Sequence, residues 1–268
     1  MNALRRFEKI MEALLAHGEV TVAQLSESLG VTGKTIRADL ALLEEKGLLV
    51  RVHGGAVLAQ KDQFGILSPR EPLRRNLKEK GEIAELAVQL IEPGDIVALD
   101  GGSTTLEIAR RLENMPLTVV TNDLNIIGEL ARRDEIRLVV PGGYRVRNLL
   151  AGPEAVSFIK KLNIRKTFLS ATGVHPEYGL TVYTSDLVPL KRALIEASQT
   201  VYAAVDHTKF GRYALLTFAR LSELEAMITD SGISPETASQ YREAGVRILC
   251  GNEPNEPQSP EPEKGGSA

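Results

Sequence analysis

Apolar residues at the start of the chain recur with the period of an α-helix. The first such stripe predicts a helix over 3–16, and shorter patterns predict helices over 22–29 and 33–46. Thr21 and Thr32 each stand where a hydroxyl caps a following helix. The first stripe consists of Phe7, Ile10, Met11, Leu14 and Leu15, and the glycines expected at turns or helix ends are Gly18, Gly30 and Gly47.

Two short apolar runs follow the third helix. They cover 48–52 and 56–58 and flank His53-Gly54-Gly55, where two glycines fit a hairpin turn. Helices followed directly by a hairpin are typical of a winged helix-turn-helix, which places one helix in the DNA major groove.

The third helix has one apolar face, and its opposite face is small and basic near the N-terminus. Such a face suits insertion into a groove, although a solvated surface is the alternative interpretation. Residues 1–57 carry seven basic and seven acidic side chains, so bulk charge does not support DNA binding and only the placement of charges does. The predicted DNA-binding residues are Thr32, Lys34, Thr35, Arg37, Ala38, Arg51, His53 and Gly54.

A second pattern begins at Leu77. A helix over 77–91 precedes apolar runs that alternate with helical segments, which predicts a mostly parallel sheet covered on both faces in an α/β fold. We therefore expect a winged helix-turn-helix over 1–58, a linker over 59–76, an α/β domain over 77–250 and a disordered tail over 251–268. The predicted strands are Ile96–Leu99, Leu117–Val120, Arg137–Val140, Thr167–Ser170, Val201–Val205, Ala226–Thr229 and Val246–Leu249.

Composition places the chain among soluble globular proteins. Of its 268 residues, 43% are hydrophobic and 25% are charged, and no apolar run reaches membrane-spanning length. The one cysteine, Cys250, suits a reducing cytoplasm. Four histidines without ligand spacing argue against a structural metal.

The loop after the first strand of the sheet is the strongest candidate for ligand binding. In open α/β sheets, ligands bind at the carboxyl ends of the strands. Glycines there let the backbone approach an anion, and hydroxyls with free N–H groups at a helix start donate to it, although a plain strand-to-helix turn has the same composition. The run lacks a P-loop lysine and a G-x-G-x-x-G, so neither a nucleotide nor another cofactor is indicated. It consists of Asp100, Gly101, Gly102, Ser103, Thr104 and Thr105.

Similar polar loops follow the other strands. Lys209 suits a phosphate or a sugar hydroxyl, and Asp206 suits a hydroxyl or the lysine itself. Lys80 and Asp186 are weaker candidates. The remaining predicted effector-binding residues are Thr121, Asn122, Gly142, Gly143, Thr172 and Gly173.

Several runs resemble one family over nearly the whole chain. T-I-R-A-D-L and H-G-G-A resemble the N-terminal signature of the DeoR family of bacterial transcriptional repressors, and L-D-G-G-S-T-T, V-P-G-G and V-D-H-T-K-F-G-R resemble its effector-domain motifs. The resemblance implies operator DNA as a partner, a phosphorylated sugar or polyol as effector, and a C-terminal fold related to ribose-5-phosphate isomerase and CoA transferases. Ala38 stands where a second arginine is commoner, so the operator does not carry over from relatives.

We therefore expect an effector-gated repressor, as a homodimer or homotetramer without catalytic residues. One alternative is a sugar-phosphate isomerase or CoA-transferase-like enzyme with an accessory N-terminal domain. Asp100, Asp186 and Asp206 are available to it, but no carboxylate pair shows a clear division into acid and base. Another alternative takes the N-terminal unit as a protein-binding module.

Overall fold

The computed structural model describes residues 1–46, 48–58 and 76–251. The predicted linker, apart from Asn76, and the predicted tail, apart from Gly251, lie outside these residues, as does Gly47. We call residues 1–58 the head. Its elements are α1 (Ala3–His17), β1 (Glu19–Thr21), α2 (Val22–Leu29), α3 (Gly33–Glu45), β2 (Leu49–Val52) and β3 (Gly55–Leu58).

Local signals define the helix ends of the head. Gly18 has a φ of 77°, and its N–H donates to the Leu14 carbonyl at 2.7 Å. Thr21 forms a full capping box with Gln24, and the Thr32 hydroxyl accepts from the Thr35 N–H at 3.2 Å. These predicted caps are confirmed, because each depends only on residues within one turn of the helix end.

The predicted hairpin is present, with one correction to its turn. His53 and Gly54 form the turn, whereas Gly55 belongs to β3. A side chain at Gly55 would meet the Val20 carbonyl oxygen at 2.0 Å, because the unpredicted strand β1 pairs with β3 at this point. The three strands form an antiparallel sheet in the order β1-β3-β2.

The C-terminal domain alternates strands and helices as the pattern predicts. Its helices are α4 (Leu77–Val88), α5 (Ser103–Arg111), α6 (Leu124–Leu130), α7 (Pro153–Ile159), α8 (Val188–Glu196) and α9 (Pro235–Glu243). Its strands are β4 (Ile96–Leu99), β5 (Leu117–Val120), β6 (Ile136–Val139), β7 (Tyr144–Val146), β8 (Leu149–Ala151), β9 (Ile164–Leu169), β10 (Gly173–His175), β11 (Gly179–Val182), β12 (Ser198–Ala204), β13 (Leu216–Ala219), β14 (Ala226–Ile228) and β15 (Arg247–Leu249).

Seven of these strands form one parallel sheet, in the order β15-β14-β12-β9-β4-β5-β6. Val97 and Leu99 of β4 pack in the core on the side of α4 and α5, and Ala98 packs with α7 and α8 on the other side. Strand alternation thus buries both faces. The predicted α/β fold with an N-terminal winged helix-turn-helix is confirmed.

The bounds of β4 and β5 are as predicted, and those of the other predicted strands differ by one to three residues. Strands β9 and β12 start three residues earlier than predicted, at Ile164 and Ser198. Apart from Ile164, the added residues are polar and at least partly exposed, so the β9–β12 ladder rather than an apolar run holds them in the sheet. The antiparallel sheet β10-β11-β13 and the hairpin β7–β8 were not predicted. Within the described residues, no helix is both long and apolar enough to cross a membrane.

Candidate functional site

The exposed face of α3 carries the predicted DNA-binding residues. Lys34, Arg37 and Ala38 are exposed, whereas Ile36, Leu40 and Leu43 on the opposite side are buried in the head's core. The Thr32 and Thr35 hydroxyls lie 3.0 Å apart at the start of the helix. The surface therefore presents two cations and a small side chain, a combination that suits contact with phosphates and base edges.

A buried ion pair fixes α3 to α1. The Arg6 guanidinium donates to both carboxylate oxygens of Asp39, at 2.7 and 2.9 Å, and Asp39 is almost fully buried. Such two-point contacts hold orientation as well as position. This role of Asp39 was not predicted; its signal in the sequence is a charged residue beside the apolar face of α3.

The wing presents its turn to solvent. Arg51, His53 and Gly54 are all exposed, and the Gly54 carbonyl accepts from the Val22 N–H at 2.8 Å. Arg51 also contacts α3: its backbone N–H and its guanidinium donate to Glu44, and these bonds lower the pKa of the Glu44 carboxyl. The predicted residue Arg51 therefore joins the wing to α3.

In the C-terminal domain, polar residues follow four neighbouring strands. We call this set the polar edge. It lies where the strand order reverses between β4 and β9, the usual place for ligands in such sheets. Neighbouring strands are about 4.8 Å apart, so the set spans roughly 14 Å. Its members, from β12 to β5, are Asp206, Ser170, Asp100 and the run Thr121, Asn122 and Asp123.

Asp100 lies at the centre of the polar edge and is held by protein donors. One carboxylate oxygen accepts from the Ser170 N–H and hydroxyl, both at 3.0 Å, and from the Lys191 ammonium. Lys191 also donates to the Ser170 carbonyl at 2.8 Å and is 3% exposed. The pairing offsets part of the desolvation of both charges.

Lys191 was not predicted as a site residue. It comes from α8, where it occupies a position within the apolar stripe between Leu187 and Leu194. A lysine at a core position of a helix is the signal that was available in the sequence.

The predicted anion loop lies beside Asp100. A side chain at Gly101 would meet Leu149 Cδ2 at 2.2 Å, and one at Gly102 would meet Ser170 Oγ at 2.7 Å. Gly102 is the N-cap of α5 and offers no side chain to its first N–H groups. Ser103 is half-buried and Thr104 and Thr105 are buried, and the Thr105 hydroxyl donates to the Gly102 carbonyl at 3.0 Å. Hydroxyls and helix-start amides are therefore adjacent at the start of α5.

Positive charge reaches this region from two other elements. Lys80 of α4 is buried, and desolvation lowers its pKa to about 8, with Asp206 opposing this effect and Lys209 adding to it. Asp206 accepts from the Asn76 side chain at 3.2 Å and from the Thr208 N–H at 3.1 Å. The structure therefore brings together the weaker candidate Lys80 and the predicted pair Asp206 and Lys209.

The hairpin β7–β8 covers the other end of the polar edge. Its residue Asn148 donates to Asp123 at 2.6 Å, and Asn122 donates to the Leu150 carbonyl at 2.9 Å. Asp123 caps α6, and burial raises the pKa of its carboxyl to about 6. The Thr121 hydroxyl accepts from the Asp123 N–H at 3.2 Å. Thr121 and Asn122 are thus at the polar edge, beneath the hairpin.

The remaining predicted effector-binding residues lie close to backbone groups of neighbouring strands and loops. Gly142 and Gly143 lead into the hairpin at φ values of 79° and 109°. A side chain at Gly143 would meet the Ala151 carbonyl oxygen at 2.2 Å. Gly173 belongs to β10, where a side chain would meet the Arg212 carbonyl oxygen at 2.6 Å. The Thr172 N–H bonds to β11, at the Thr181 carbonyl.

Asp186 is placed differently from the polar edge. Its carboxylate lies 3.5 Å from the Arg5 guanidinium of α1, so it faces the head. Its candidacy as an effector or catalytic residue stays a prediction. Among the residues that the structure describes, no group of three or more metal-binding side chains is assembled.

Comparison with known protein families covers both parts of the chain. Residues 6–62 match the DeoR-like helix-turn-helix domain, and residues 75–231 match the DeoR C-terminal sensor domain. The two matches together include most of the residues described above.

Relatives align along nearly their whole length. A putative aga operon transcriptional repressor of Escherichia coli O157:H7 is 31% identical over 91% of this chain and 92% of its own. The transcriptional repressor AccR of Agrobacterium fabrum is 36% identical over 85% and 89%. The regulator IolR of Bacillus subtilis is 32% identical over 91% and 98%.

Among solved structures, ribose 5-phosphate isomerase A of Methanocaldococcus jannaschii aligns at 17% identity with a TM-score of 0.36. The alignment covers 49% of this chain and 53% of that one.

Proposed function

The chain belongs to the DeoR family of transcriptional regulators, and we propose that it represses a carbohydrate or polyol catabolic operon until a phosphorylated sugar or polyol binds its C-terminal domain. In this proposal residues 1–58 bind double-stranded operator DNA and residues 77–250 bind the effector. The observation that carries it is that Lys80 lies close enough to Asp206 and Lys209 to interact with both, while the start of α5 follows a neighbouring part of the same sheet edge. The relative named for the aga operon supports an operon as the target.

The DNA-binding part of the proposal relies on α3 and the wing. Arg37 and Lys34 extend from a helix that Asp39 and the core hold in place. Ala38 lets the backbone come close to base edges, and Arg51, His53 and Gly54 lie towards the flanking backbone. A two-fold dimer would place two such helices about 34 Å apart, or a multiple of that, on one face of the duplex.

The effector-binding part relies on complementary charge. A phosphate suits Lys80 and Lys209 together with the amides and hydroxyls at 103–105, because charge-assisted bonds to an anion are strongest where water is excluded. In this proposal Asp206 and Asn122, which follow β12 and β5, bind hydroxyl groups on the rest of the effector.

The same site argues against turnover. Asp100 is neutralised by Lys191 and Asp206 is bonded by Asn76 and Thr208, so both carboxylates already serve neighbouring protein groups. A general base requires a carboxylate aimed at the substrate carbon. Incubation with ribose 5-phosphate should yield no isomer; measurable isomerisation would instead favour the enzyme alternative.

A thermal-shift screen tests the effector. The panel includes ribose 5-phosphate, fructose 6-phosphate and glycerol 3-phosphate beside their unphosphorylated counterparts. A compound at 100 times its dissociation constant should stabilise the protein by about 2.7 kcal/mol. Lys209→Ala should abolish the shift, whereas Lys160→Ala, which changes an exposed lysine next to α7, should keep it. A shift that survives Lys209→Ala would place the ligand elsewhere.

A gel shift with the DNA upstream of the protein's own gene tests the head. Binding should weaken as salt rises and on Arg37→Ala, and the selected sugar phosphate should release the DNA. Lys160→Ala serves again as the control. Salt-insensitive binding, or none, would favour a protein-binding module, and sedimentation of the free and DNA-bound protein tests the proposed dimer or tetramer.

A further inference from the structure

Two segments that border the polar edge both end on helix α1 of the head. One is the 3-10 turn Ser185–Leu187, which leads into α8 and so to Lys191. The other is the hairpin β7–β8, whose Leu149 packs on Gly101. Each segment has one end at the polar edge, which together with Lys80 and Lys209 is the proposed ligand region, and one end at the head.

The first contact is a helix cap supplied by the head. The Ser185 N–H donates to Glu8 Oε1 at 2.7 Å, and Glu8 is 5% exposed. Neither the residue before the 3-10 turn nor the residue before α8 makes a side-chain cap of its own. A carboxylate at this end satisfies an N–H and complements the helix dipole, so Glu8 supplies the missing cap.

The second contact comes from the tip of the hairpin. Arg147, in a left-handed conformation at φ 57°, lies 3.8 Å from the Glu12 carboxylate. The neighbouring residue Asn148 bonds to Asp123 at the polar edge. The tip therefore contacts the head with one residue and the polar edge with the next.

Both contacts use one face of α1. Arg5, Glu8 and Glu12 are spaced i, i+3 and i+7, and Arg5 lies 3.5 Å from both Glu8 and Asp186. We call these three residues the α1 face. The adjacent Arg6 holds α3 through Asp39, so any displacement of α1 carries the DNA-binding helix with it.

The head also packs on the C-terminal domain near the far end of α3, where Tyr183 and Ala214 join the apolar core of the head. A cleft of about 400 Å³ separates the two parts there, lined by residues that include Leu42, Leu48, Tyr178 and Tyr213. The head is thus anchored along α1 and at this apolar contact, with an unfilled cleft beside the contact.

We propose that the α1 face is the surface through which the ligand region controls the placement of the head. A ligand that draws Lys191 away from Asp100 or lifts the hairpin shifts the 3-10 turn and the tip, and docking of α1 weakens. This inference rests on the proposed function, because it takes the C-terminal domain to bind an effector that changes DNA binding. An effector has that result only if it binds the docked and undocked forms of the head unequally.

Hydrogen exchange of the full chain, followed by mass spectrometry, tests the cap. Glu8→Ala should make the amides of 184–191 exchange on the order of fivefold faster, the effect of losing one cap. Glu27→Ala, an exposed carboxylate of α2, should leave them unchanged. Equal exchange in wild type and Glu8→Ala would overturn the proposal.

A double-mutant cycle tests the coupling. Lys191→Met should speed exchange of α1 at least threefold when Glu8 is present and should add nothing in Glu8→Ala. Ser170→Ala is the milder perturbation of the same cluster if Lys191→Met fails to fold. An equal effect with and without Glu8 would show that the ligand region does not act through this face.

These measurements need neither DNA nor a sugar phosphate. If the thermal-shift screen and the gel shift fail while the cycle shows coupling, the proposed function is wrong and the docking surface stands. If the screens succeed and the cycle is additive, control of the head runs through other contacts.

Discussion

Raising the pH should weaken binding of the phosphorylated effector through Lys80. Burial lowers the pKa of this lysine to about 8, so it is mostly charged at pH 7 and mostly neutral at pH 9. If the phosphate requires the ammonium form, affinity should fall about tenfold between pH 7 and pH 9. The second pKa of a phosphate monoester is near 6, so the phosphate is already mostly doubly ionised at pH 7 and adds little to this decline.

The same shift predicts proton uptake on binding. A bound phosphate favours the charged lysine and raises its pKa, so at pH 8.5 the complex should take up about 0.7 proton. The same shift affects folding. Because the pKa of Lys80 is lower in the folded than in the unfolded protein, the free energy of unfolding of the ligand-free protein rises as the pH goes from about 8 towards 10.5.

Calorimetric titration with the sugar phosphate selected by the screen measures both quantities. Paired buffers of different ionisation enthalpy give the proton count. Lys80→Arg keeps the charge at every pH and should flatten the profile. A wild-type affinity that stays constant from pH 7 to 9, or an unchanged slope in Lys80→Arg, would refute the role of Lys80.

Three further outcomes are expected. Arg37→Ala should weaken DNA binding by about 1–3 kcal/mol, measured by filter binding. If Arg37 contacts a phosphate, the slope of log affinity against log salt concentration should also fall by about 0.9, and an unchanged binding isotherm would exclude Arg37 from the interface. Lys191→Met should destabilise the fold by about 3–5 kcal/mol in urea, and adding Asp100→Asn should recover part of this loss; no recovery would mean that the pair does not explain the cost. Phe168→Ala, in the core, should cost about 3–5 kcal/mol, whereas Phe158→Ala, at an exposed position, should cost far less; equal costs would contradict the described core.

The features predicted correctly from the sequence are those that neighbouring residues determine. Gly18, Thr21 and Thr32 act within one turn of their helix ends, so their roles follow from spacing alone. The apolar runs likewise identify a parallel sheet, because burial on both faces leaves a continuous signal.

Contacts between residues that are far apart in the chain could not be predicted from the sequence. Lys191 and Asp100 are 91 positions apart, and only the fold brings them together. Glycine was ambiguous for a different reason: it permits approach by an anion and also by a neighbouring chain. Gly173 lies against a backbone carbonyl, whereas Gly102 stands at the start of α5, and composition does not distinguish these two environments.

The bond from Glu8 to Ser185 also bears on how such chains exchange parts in evolution. A head taken from one relative and joined to the C-terminal domain of another brings its own residue at the position of Glu8, while the turn that needs the cap stays behind. Such a chimera keeps both folds but loses the hydrogen bond by which the head caps the turn of the C-terminal domain. We expect the two halves to be inherited together, and substitutions at Glu8 to be accompanied by changes around Ser185.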